Sequence, residues 1–114
     1  MLTFEELRRQ NVSRCESVFH PLGSWSATDW ACAMAGETGE ACNAVKKLRR
    51  HEDGTNTTKD PATEEECIAD VAVELADTVI YADLLAARLG IDLAEAVRSK
   101  FNAASVLCGA DERL

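Results

Sequence analysis

Apolar positions recur every three or four residues along most of the chain, and no stretch holds the period of two that marks a half-buried strand. The pattern predicts four helices. The first opens at Thr3, which forms a T-x-x-E capping signal with Glu6, and carries Phe4, Leu7, Val12, Cys15 and Phe19. It ends near "HPLGS", where Pro21 and Gly23 break it. A second helix is expected from Ser26 or Thr28 to about Arg50. Its stripe is Trp30, Met34, Glu37, Ala41, Ala44 and Leu48, and Glu37 sits where an apolar residue is expected.

"EDGTNTTKD" is a polar linker of turn-forming residues, expected to be a mobile surface loop. Asp60-Pro61 reads as an N-cap followed by proline at the first helical position. The third helix is expected from about Ala62 to Leu89, roughly 40 Å long if straight. From Ile68 onward it is apolar nearly all round, which predicts burial on several sides, including against another subunit. Gly90 stops it, and Asp92 with Glu95 starts the fourth helix, "DLAEAVRSKFNAAS". The tail "VLCGADERL" shows no clear period.

Composition agrees with an all-α chain. Aromatic residues make up 5%, only two Pro and six Gly are present, and Ala and Leu are abundant. At 114 residues the chain suits a single domain, 1–114, with a modest core. The formal net charge of -8 disfavours binding to a nucleic-acid polymer. No apolar run is long enough to cross a membrane, and the charged N-terminus does not resemble a secretory signal. Five cysteines without a CxxC pair read as reduced thiols serving as small hydrophobes in a cytoplasmic protein.

The chemistry concentrates in four acidic residues. Glu37 and Glu40 are three apart on the second helix, and Glu74 and Asp77 are three apart on the third. Each pair lies on one helical face. If the two helices pack antiparallel, four carboxylates converge in an apolar interior. Like charges there need protons or a divalent cation, and hard oxygen ligands suit Mg²⁺ or Mn²⁺. That points to metal-assisted chemistry on a phosphate compound. A di-iron bundle is disfavoured because neither His forms a Glu-x-x-His pair with these residues.

"GETGEACNAVKKLRR" followed by "ELADTVIYADLLAARLGIDLAEAVRSKFN" resembles the MazG-like family of all-α nucleoside triphosphate pyrophosphohydrolases, over roughly Trp25 to Ser105. The resemblance implies an antiparallel four-helix bundle that forms a homodimer or homotetramer. It implies hydrolysis of a nucleoside triphosphate, expected to be a dNTP, between the α and β phosphates, in nucleotide-pool control. Mg²⁺, which Mn²⁺ could replace, would be held by Glu37, Glu40, Glu74 and Asp77, with Glu37 or Glu40 deprotonating the attacking water. Two departures stand out. Gly36 occupies a place where many members have Glu, and thirty-three residues separate Glu40 from Glu74, more than is usual. Two rival readings are a related enzyme acting on phosphoribosyl-ATP and a non-catalytic helical binding module.

Six further residues are candidate substrate contacts. Lys47 and Asn43 share the face of Glu40, and Tyr81 follows Asp77 by one turn. Lys100 and Asn102, in "KFN", resemble family positions near the nucleotide, although Asn102 equally suits tying down the tail. Trp25, outside the regular stripe, is positioned to stack on a base, whereas Trp30, Met34 and Phe101 read as packing. Asp70, one turn before Glu74, is either an outer-shell group or solvent-facing, and His20 reads as an exposed loop residue.

Overall fold

The computed structural model describes all residues, Met1 to Leu114, and contains helices and no strand. Four α-helices are present: α1 (Phe4–Arg14), α2 (Ala27–Glu52), α3 (Glu64–Arg88) and α4 (Leu93–Cys108). They belong to two compact units. One comprises Met1–Ser26 with Asp83–Leu114, and the other comprises Ala27–Ala82.

In the first unit, Thr3 caps α1 as the sequence predicts, its hydroxyl accepting from Glu6 N at 3.1 Å. The expected helix to Phe19 is not α-helical throughout. After Arg14 the backbone widens into a π-helical turn, Cys15–Phe19. Pro21 explains the ending: it disfavours helical backbone at His20, which is extended at φ -162° and ψ 160°. Glu16 then accepts from Leu22 N at 2.7 Å and closes the turn.

Asp83, at the start of the last stretch of α3, is only 1% exposed. Its carboxylate accepts from Arg8 Nε at 2.8 Å and from Asn11 Nδ2 at 3.0 Å, so α1 neutralises the charge it covers. Arg8 also donates to the Ile91 carbonyl, tying the turn between α3 and α4 to α1. That turn is opened by Gly90 in the left-handed region, φ 68°. Asp92 caps α4 by accepting from Glu95 N, matching the D-x-x-E signal. The helix outruns "AAS" to Cys108, and Gly109 ends it at φ 75°.

In the second unit, α2 and the first part of α3 run antiparallel. Trp30, near the start of α2, lies 6.3 Å from Tyr81, late in α3, and Glu37 meets Glu74 and Asp77. The expected cap at Asp60-Pro61 is not formed. Asp60 instead accepts from Arg50 Nε and Nη2 and from Thr57 N, so the linker is pinned to the end of α2. The cap belongs to Thr63 and Glu66: Thr63 Oγ1 accepts from Glu66 N while Glu66 Oε2 accepts from Thr63 N. This is a reciprocal capping box, and it moves the helix start to Glu64.

Expectations about the core need correction. Trp30, Ala41, Ala44 and Cys67 are the buried apolar residues of this unit. Within one chain α3 is not enclosed on all sides: Ile68, Val73, Leu75 and Val79 are 48–59% exposed. Phe101, expected to pack, is 41% exposed. Cys15 and Cys67 are buried thiols as expected, whereas Cys32, Cys42 and Cys108 are exposed.

Candidate metal centre

Glu37 projects from the middle of α2 and Glu74 and Asp77 from α3. One carboxylate oxygen from each can be chosen so that all three lie within 4.8 Å of one another. The i, i+3 spacing of Glu74 and Asp77 aims both at α2, and antiparallel packing brings Glu37 to them. All three residues are half-buried. Glu40 is exposed, yet its carboxyl reaches hydrogen-bonding distance of both Glu37 and Glu74. It stands at the open edge of the cluster.

Electrostatics at the cluster are unfavourable to four separate charges. Partial burial pushes the Glu37 carboxyl above the ordinary glutamate range, and the negative charges of Glu40, Asp77 and Glu74 push it further. Glu74 is raised in the same way, first by burial, then by Glu40, Asp77 and Asp70. One oxygen, Glu74 Oε2, is fully enclosed and has no hydrogen-bond donor. A buried acceptor without a donor is costly. Three converging carboxylates, one of which also carries an unsatisfied oxygen, offer the hard oxygen donors that suit Mg²⁺ or Mn²⁺.

The other sequence candidates fall in both units. In the second, Asn43 is exposed and Lys47 half-buried, each further along α2 from Glu40. Tyr81 is half-buried one turn beyond Asp77, its ring tilted 51° to that of buried Trp30. Asp70 is exposed, near enough to act on Glu74 through its charge.

In the first unit, Lys100 is exposed. The Asn102 amide is engaged by the tail: Nδ2 donates to the Leu114 carbonyl, and Oδ1 accepts from Leu114 N at 2.9 Å. Trp25 is 38% exposed, its ring centroid 4.5 Å from that of His20, and its carbonyl accepts from Arg88 Nε at 2.8 Å. His20, read from sequence as an exposed loop residue, is half-buried within this aromatic pair.

Sequence reasoning missed two features. The pinning of the linker by Arg50 and Asp60 left no local signal, since the partners are ten residues apart. The Thr63-x-x-Glu66 box was visible as "TEEE" but was masked by the stronger proline signal at Pro61.

The chain matches no protein-family model, and no curated protein is significantly similar to it. No helix is long and apolar enough to cross a membrane.

Proposed function

We propose that the chain is a Mg²⁺-dependent nucleoside triphosphate pyrophosphohydrolase of the MazG-like kind, acting on the α–β phosphate bond and preferring a dNTP. In this reading the four α-helices form an antiparallel bundle that works as a homo-oligomer in the cytoplasm. The observation that carries the proposal is the cluster of Glu37, Glu74 and Asp77, with an enclosed, unsatisfied oxygen on Glu74 and Glu40 at its edge.

Glu37, Glu74 and Asp77 would hold the cation, with Glu40 completing the set. When bound, the cation supplies charge neutralisation for the phosphates and activation of water. The chain's own residues do the rest. Glu40, outside the three-oxygen group and exposed, would accept the proton of the attacking water, and Glu37 beside it is the other candidate base. The cation charge also offsets the repulsion that raises Glu37 and Glu74. Lys47 and Asn43 would meet the phosphates, and Tyr81 would contribute its hydroxyl.

The test is pyrophosphate release from a panel of dNTPs and NTPs with Mg²⁺ or Mn²⁺, with phosphoribosyl-ATP included. Turnover of dNTPs that disappears in Asp77→Asn, with far-UV circular dichroism unchanged, supports the assignment. Turnover of phosphoribosyl-ATP alone would move it to the related activity. Binding of nucleotide without any turnover would make the chain a binding module.

A further inference from the structure

Two main-chain bonds close the end of α2. Gly54 N donates to the His51 carbonyl at 3.1 Å, and Thr55 N donates to the Arg50 carbonyl at 2.8 Å. With Gly54 in the left-handed region at φ 69°, this is a Schellman ending, and Asp53 is its cap residue. The Asp53 carboxylate accepts from Arg49 Nε at 3.1 Å. Both side chains are open to water, 70% exposed for Arg49 and 47% for Asp53, so the pair restrains Asp53 only weakly. Every residue from 52 to 59 is exposed, and a Cβ built on Gly54 meets nothing within 4 Å. No neighbour crowds the Asp53–Gly54 peptide bond, and exposed main-chain bonds at a helix end are among the first to open.

We propose that Asp53–Gly54 is a site of self-modification, at which the folded protein forms isoaspartate and releases the end of α2. The Gly54 main-chain nitrogen gives its proton to solvent and bonds to Cγ of Asp53. The Asp53 carboxyl takes up a proton and loses one oxygen as water, leaving a five-membered imide. Water then adds to the main-chain carbonyl carbon of Asp53 and breaks its bond to Gly54 N. The chain now runs through Cβ and Cγ, and the former main-chain carbonyl is a free carboxylate. One water leaves and one enters, so mass is unchanged and no oxidant or co-reactant is needed.

Nucleophile and carboxyl carbon sit on adjacent residues, which makes the ring closure intramolecular. Glycine leaves its nitrogen uncovered and lets the backbone swing into the ring. Asp53 is the only Asp or Asn of the chain that Gly follows. The added backbone methylene shifts Gly54 and Thr55 away from the carbonyls of His51 and Arg50. The last turn of α2 then loses its closing bonds, and with them the firm placement of Arg50, which pins the linker through Asp60. Asp53 lies about 24 Å further along α2 than Glu37, so the modification is independent of the cation site and of what the chain hydrolyses.

The experiment is incubation of the folded protein at neutral pH and body temperature, followed by tryptic digestion and enzymatic methylation of isoaspartyl residues with a labelled methyl donor. Trypsin cuts after Arg50 and Lys59, so residues 51–59 leave as one peptide, in which fragmentation locates the label. Wild type is expected to accumulate label at residue 53. Asp53→Glu keeps the charge but would have to close a six-membered ring, and it is expected to lose the label. Modified protein, separated from unmodified by ion exchange, is expected to be cut faster by trypsin at Arg49 and Arg50 under native conditions. Label that appears in wild type only after unfolding in urea overturns the proposal, as does label in Asp53→Glu at the wild-type level. Equal native cleavage of the modified and unmodified fractions overturns the release of the end of α2.

Discussion

Arg8 Nε donates to Asp83 at 2.8 Å across 75 positions of sequence, and the carboxylate it meets is 1% exposed. The ion pair neutralises a charge that burial alone would not tolerate. Arg8→Ala leaves Asn11 Nδ2 donating to Asp83 but strips a buried anion of its cation. The expected loss is about 2–4 kcal/mol, read as a lower urea midpoint. Arg8→Lys should recover only part of it, because lysine lacks the fork that serves Asp83 and the Ile91 carbonyl together.

Glu37 and Glu74 make the cation-free protein less stable as pH rises. In the unfolded chain both carboxyls ionise in the ordinary glutamate range, whereas in the folded chain both ionise higher. Between those limits the folded state binds more protons. The stability they contribute is therefore fully present below the unfolded value and lost as pH rises through the folded values. Melting temperature measured in EDTA should fall across that window in wild type and stay flatter in Glu37→Gln/Glu74→Gln. Asp60, held low first by its hydrogen bonds from Arg50, acts oppositely, losing its contribution as pH falls below the ordinary aspartate range. Asp60 is common to both proteins and cancels in the comparison.

Adding Mg²⁺ at neutral pH should raise the melting temperature of wild type. One hundred times the dissociation constant corresponds to about 2.7 kcal/mol. Asp77→Asn should lose most of that shift.

Glu40→Gln should separate cation binding from proton transfer. With Glu37, Glu74 and Asp77 still in place, the Mg²⁺-induced thermal shift should persist. Turnover should drop about 10²–10⁴-fold, the scale of a lost general base. A near wild-type rate would transfer the role to Glu37.

Gly36 and Gly39 lie inside α2, and a Cβ built at either meets nothing within 4 Å. Alanine at each should stabilise the helix by about 0.5–1 kcal/mol. Thermal melts of Gly36→Ala and Gly39→Ala check this. A loss of stability in either would show that the open face of α2 is covered in the working assembly.

Much of the fold was legible from residues close in sequence. Thr3 and Asp92 cap their helices as read, Gly90 follows the end of α3, and α2 and α3 fall within two residues of most expected bounds. Capping and chain reversal depend on neighbours within a turn or two, which a linear reading can see. The misreadings have a tertiary cause. Asp60 looked like an N-cap because its competing partner, Arg50, lies on another element. The apolar run after Ile68 is more than the core of one chain this size encloses, and Ile68, Leu75 and Val79 do stay exposed.

The sequence by itself determined that the chain is helical, where its turns fall, and that two acidic pairs each lie on one helical face. The 3.6-residue period and the chemistry of Thr, Asp, Gly and Pro act locally and suffice for that. Only the tertiary structure decided that Glu37 meets Glu74 and Asp77, that Glu40 stays at the open edge, and that an oxygen of Glu74 is enclosed without a donor. Those facts depend on the distance and rotation between two helices, which side chains far apart in the chain settle through packing.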